Sequence, residues 1–143
     1  MPQESPAEAS RRLALDFIDA CFRCDVDAVL SRLAPDATWW VLGDREHLKV
    51  SGTRDRLAIE RFLRNVARMF PQGMGYAIEG VTAEPGRVAI EATSHARQAD
   101  GRDYANRYHF AVTLQDGKVL AMREYLDTFY VWQVQQGSDR PAG

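Results

Sequence analysis

The sequence predicts an α+β fold, with three N-terminal helices packed on a mostly antiparallel β-sheet. Three observations predict it. Apolar residues recur at helical spacing through residues 7–33 and again through 55–70. From residue 74 onward the chain is rich in β-branched and aromatic residues instead. Short turns at 84–86, 99–101 and 116–117, each carrying a Gly beside Pro or Asp, cut that second half into strands.

Residues 7–24 form the first expected helix. Ser5 is its N-cap, Pro6 its first position, and Glu8 completes a capping box. Ala14, Phe17, Ile18 and Cys21 share one face. Residues 25–33 form a short second helix, stopped by Pro35. Residues 36–42 read as the first strand and 43–52 as a polar loop. Thr53 or Asp55 caps the third helix, which runs to about Phe70 with Ile59, Phe62, Leu63 and Val66 inward. Four strands follow, at 74–83, 87–98, 103–115 and 118–131. Residues 1–6 and 137–143 read as frayed ends, and no repeat or linker divides the single domain 1–143.

Composition narrows the function. The net charge is −2, so nothing favours a phosphate backbone and nucleic acid is not an expected partner. No apolar run reaches the roughly 20 residues of a membrane span. The N-terminus lacks the basic start and apolar stretch of a signal peptide, so the expected compartment is the cytoplasm. Cys21 and Cys24 have redox spacing but follow a helical stretch, and read as small buried or half-buried residues. His47, His95 and His109 share no short spacing, so no metal site is expected. Arg54 and Arg56 read as a solvated helix start.

The last hairpin offers a register. If Asp116-Gly117 is a two-residue loop, Gln115 pairs with Lys118 and His109 falls opposite Glu124. Side chains so placed are close enough to hydrogen-bond. A carboxylate beside an imidazole is a natural proton-transfer unit. The plainer reading is a surface pair on an exposed face, and a bulge would slip the register and break the pair. The face of Tyr108, Phe110, Val112 and Leu114 is the more apolar, which by itself argues for the core.

Several stretches carry a resemblance. Asp25-Val-Asp-Ala-Val-Leu, then Leu33-Ala-Pro-Asp-Ala-Thr-Trp39, lead a helix into a strand; Gly52-Thr-Arg-Asp-Arg-Leu-Ala-Ile enters a helix. Residues 100–110, Asp116-Gly-Lys-Val and Arg123-Glu-Tyr-Leu-Asp127-Thr are the most specific. Together they resemble the nuclear-transport-factor-2-like superfamily, which includes ketosteroid isomerases, SnoaL-like polyketide cyclases and limonene-epoxide hydrolases. The resemblance implies a cone-shaped fold with a curved sheet around a small-molecule pocket. It places Val41, Phe17 and His109 where the isomerases carry a base, an oxyanion tyrosine and a second acid. It places Glu124 where the hydrolases carry a carboxylate, with Trp39 and Val41 at their water-holding positions and Ser94 and Ala96 near the rest of their set. Both comparisons imply that His109 and Glu124 face the concave side. Phe17, Trp39, Val41, Ala111, Met122 and Leu126 then form an apolar pocket around them.

The expected function is an acid–base enzyme of isomerase, dehydratase, cyclase or hydrolase type. It acts on a small apolar molecule and needs no cofactor. His109 moves the proton and Glu124 orients it. The rivals are a non-catalytic ligand-binding or dimerisation module on the same fold, and a subunit of a larger complex. A homodimer is expected through the outer sheet face, burying Tyr108, Phe110, Arg123 and Tyr125, with Trp40 alongside.

Overall fold

The computed structural model describes residues 2–137. Helix α1, Pro6–Phe22, starts at the predicted capping box: Ser5 and Glu8 each bind the other's backbone N–H. Asp25 caps α2, Val26–Arg32, and Asp55 caps α3, Arg56–Met69. Between them lie β1, Leu33–Val41, and a short β2, Gly52–Arg54, inside the stretch expected as loop and helix start. Then come β3, Gly75–Glu84, β4, Arg87–Arg97, β5, Asp103–Gln115, and β6, Lys118–Leu126. The expected long last strand ends early, and its final residues form a fourth helix, α4, Thr128–Gln135, capped by Asp127. The C-terminal end expected to fray, 137–143, lies outside the described residues apart from Gly137.

One six-stranded sheet runs in the order β2-β1-β6-β5-β4-β3. All its pairings are antiparallel except β1 with β6. Register shifts in β1/β6, β3/β4 and β5/β6 bend it, because each bulge adds local twist. The helices cover the concave side. Phe17, Ile18 and Ile59, all fully buried, pack there against Ile90, Val112 and Met122. Burial of a large aliphatic or aromatic side chain contributes about 1.5–3 kcal/mol, so this layer supplies much of the stability.

The β5/β6 hairpin corrects the expected register. Asp116 and Gly117 both have positive φ, 53° and 74°, as a tight two-residue turn requires, and Gln115 does face Lys118. A bulge then intervenes: Leu114 faces Val119 but Thr113 faces Ala121, leaving Leu120 unopposed. Every later pair is shifted by one. His109 faces Tyr125, and Glu124 faces Phe110. A one-residue slip reverses the face of each side chain relative to its partner strand. The more apolar face of β5 is therefore the inner one, with Tyr108, Phe110, Val112 and Leu114 all buried.

Candidate active site

The sheet and helices enclose a cavity of about 450 Å³. Aromatic and aliphatic side chains make most of its wall, among them Phe22, Phe62, Leu63, Val66, Phe70 and Phe110. Glu124, on β6, is the one carboxyl-bearing residue among the described residues that line it. Trp39 reaches it from β1, its indole Nε1 donating to Glu124 Oε1 at 3.0 Å. Strand pairing explains the meeting: β1 lies parallel to β6 with Val41 beside Glu124, and Trp39 shares Val41's face. Burial pushes the Glu124 carboxyl up to about 7, against the opposing pull of the Trp39 hydrogen bond and the Arg54 charge.

Arg54 enters from β2, which sets it opposite Trp39. Its Nη1 donates to the Val50 carbonyl at 2.6 Å, and its guanidinium lies 4.3 Å from the centre of the Phe62 ring. Burial lowers its pKa, as does the positive charge of Arg45. The expected solvated helix start holds for exposed Asp55 and not for the two arginines. Arg54 lines the cavity, and Arg56 binds the carbonyls of Leu30 and Leu33.

Two lining tyrosines, Tyr104 and Tyr108, carry polar contacts behind the wall. The Tyr108 hydroxyl and Ser94 Oγ share a hydrogen bond at 2.7 Å. Asn106 Nδ2 donates to the Tyr104 hydroxyl at 3.1 Å, while Asn106 Oδ1 accepts from the backbone of Arg107. Burial pushes Tyr104 up to about 12 and Tyr108 well above the usual phenol range, so both stay protonated. Gln98 also lines the cavity, and its buried Nε2 has no partner among the described residues. Cys21 lies on the wall as a free thiol, raised well above its usual range by burial, and is a poor nucleophile.

The structure brings together Glu124, Trp39, Val41 and Leu126 on the cavity wall. It sets Phe17 and Met122 in the packed core; the Phe17 ring stands 6.0 Å from Trp39. It does not bring His109 to Glu124. His109 is exposed on the outer face, between Glu91 of β4 and Tyr125 of β6. Ala111 lies on that same outer face, opposite Arg123. Tyr108 and Phe110, expected in a dimer contact, point inward instead. Trp40, Arg123 and Tyr125 do share the outer face, with Arg123 stacked 4.0 Å from the Trp40 ring. His95 is exposed, as its alternation with buried Ser94 predicts. His47 is exposed beside Asp44. Among the described residues no cluster of three potential metal ligands forms.

Sequence reasoning missed Tyr104, Gln98, Arg54 and the contribution of α4. The apolar alternation of β5 was the available signal for its inner face.

Residues 14–122 match the model of the SnoaL-like domain. The chain has no match among curated proteins. Solved structures resemble it over nearly its whole length. One is a nuclear-transport-factor-2-like protein from Burkholderia xenovorans, 24% identical over 90% of this chain and 96% of that one, with a TM-score of 0.68. Another is TerC co-crystallised with polyporic acid, 23% identical over 87% and 94%, with a TM-score of 0.71. A third is an epoxide hydrolase of the limonene-epoxide-hydrolase-like type from M. tuberculosis, 18% identical over 90% of each chain, with a TM-score of 0.72. At these identities the likeness is one of fold.

Proposed function

The chain belongs to the SnoaL-like domain family, and on that premise we propose that it is an acid–base enzyme for small, largely apolar molecules, with Glu124 as the proton-transfer group. One observation carries the reading: a single carboxyl, held by an indole N–H inside an apolar cavity, with its pKa raised to about 7. A group poised near neutrality can take a proton in one step and return it in the next. Isomerisation, dehydration, cyclisation and epoxide opening all use such a group. Trp39 occupies Oε1, so Oε2 is the atom assigned to the substrate. Tyr104 and Tyr108 supply hydroxyls that stay neutral and can donate to a developing oxyanion. His109 takes no part.

Nitrobenzisoxazole tests this without knowledge of the natural substrate. Its ring opens when a base removes the C–H proton; the C–H electrons form the nitrile, the N–O bond breaks and a phenolate leaves. The protein is expected to accelerate this reaction above buffer, with the rate rising as pH passes through about 7 and Glu124 ionises. Glu124→Gln should remove about a hundredfold or more of that acceleration. An equal rate in the variant, or no acceleration at all, would sink the assignment.

The outer-face cluster of Trp40, Arg123 and Tyr125 supports a second element of the proposal, a homodimer joined across that face.

A further inference from the structure

The structure assigns an organic-anion subsite to the wall formed by residues 45–54, and with it a substrate class: an apolar molecule carrying a carboxylate or comparable oxyanion. This deepens the reading above and rests on it. Three cations come from one short stretch, Arg45, Lys49 and Arg54, and none takes part in an ion pair among the described residues. Lys49 and Arg54 line the cavity. Arg45 is close enough to Arg54 to repel it. The other cation on the wall, Arg102, is taken by Asp100 at 2.9 Å.

Arg54 is the centre of the argument. A guanidinium carries five N–H donors and no acceptor. Its one hydrogen bond, to the Val50 carbonyl, uses a single nitrogen, and Phe62 covers one face of the plane. Withdrawing a cation from water is costly unless it is paired, and a second cation beside it adds to the cost. The Glu124 charge offsets this only in part. Glu124 forms no ion pair with Arg54, and with its pKa near 7 it is neutral for much of the time. A bound oxyanion would satisfy the open donors and screen Arg45 from Arg54 together. Arg is the suited residue, because its planar fork matches a carboxylate.

Position refines the class. Arg54 lies opposite Trp39, and Trp39 holds Glu124. The charged head is therefore anchored beside the proton-transfer group, with the apolar body lying along Phe62, Leu63 and Phe70. The carbon that gains or loses a proton then lies within a few bonds of the anionic group.

β-Naphthoate and β-naphthamide, matched in shape and differing in charge, provide the test by isothermal titration against the full chain. Naphthoate is expected to bind at least about tenfold more tightly, a difference of about 1.4 kcal/mol. Arg54→Met should bring the two affinities together, chiefly by weakening naphthoate, and Arg54→Lys should restore part of the preference. Lys49→Met, on an exposed side chain, should reduce the preference by about threefold even if Arg54→Met fails to fold. Glu124→Gln should keep the preference, so a failure of the proton-transfer reading leaves this result standing. Equal affinities in the wild type, a preference that survives Arg54→Met, or no binding of naphthoate at millimolar concentration would overturn the subsite.

Discussion

Glu124 holds its proton more tightly in the folded chain than an unfolded chain would, and stability inherits that difference. Its folded pKa is about 7, against an ordinary value of 4.5. Below that ordinary value both states are protonated and nothing is lost. Between about 4.5 and 7 the folded state keeps a proton that the unfolded state has released, so stability falls as pH rises. Above that window the full cost stands, on the order of 3 kcal/mol. Glu124→Gln keeps an acceptor for the Trp39 indole and removes the titration. Urea unfolding should therefore show the variant gaining on the wild type between pH 5 and pH 8, by up to about that amount. A constant gap across this range would mean that Glu124 is not desolvated. At this scale the sequence revealed the carboxylate and not its partner. The resemblance pointed to Glu124, Trp39 and Val41 as residues of one pocket. His109 was paired with Glu124 by extending a tight turn through a bulge that no residue type announces. The family comparison then overrode a simpler signal, the apolar face of Tyr108 and Phe110, which was right.

At the scale of elements, turn chemistry and caps were legible and packing was not. Ser5 with Glu8, Asp25 and Asp55 mark the starts of α1, α2 and α3, each through a side-chain bond to the first-turn backbone. The fourth helix was hidden because Thr128, Tyr130 and Val131 are strand formers. Tertiary burial of Tyr130 and Val131, together with the Asp127 cap, overrides that preference. This helix matters to the site, because Val131, Val134 and Gln135 line the cavity. Gln135 also clamps the loop before β2, accepting from Lys49 N at 3.0 Å and donating to the His47 carbonyl at 2.8 Å. The Asp127 side chain accepts from Tyr130 N at 3.1 Å, and Asp127→Ala removes that bond. The expected loss is about 1 kcal/mol of stability. Amide hydrogen exchange should rise across α4 and in residues 47–51, which the helix holds, and remain unchanged in α1. Faster exchange in α4 alone would show that the clamp does not couple helix and loop.

At the scale of the molecule, the fold class followed from element order, helices first and a meander after, whereas the two faces of the sheet had to be sorted by coordinates. That sorting changes what a dimer would bury. With Tyr108 and Phe110 turned inward, the outer face keeps Trp40, Arg123 and Tyr125 as its aromatic and guanidinium cluster. Around them lie small or charged residues such as Ala111, Glu91 and Arg107. Trp, Tyr and Arg are the residue types that concentrate binding energy at interfaces, while a charged surround contributes little. The dimer proposed across such a face would be modest, dissociating on dilution. Sedimentation velocity over a range of concentrations should show wild-type protein moving from the chain mass toward twice it. Arg123→Glu removes the cation stacked on Trp40 and reverses the charge at that point of the outer face, and should weaken association at least about tenfold. The cavity opens on the other side of the sheet, so the variant's turnover of nitrobenzisoxazole should match the wild type. A wild-type chain that stays monomeric at every concentration would remove the dimer and leave the site intact, because every group assigned to the pocket comes from a single chain.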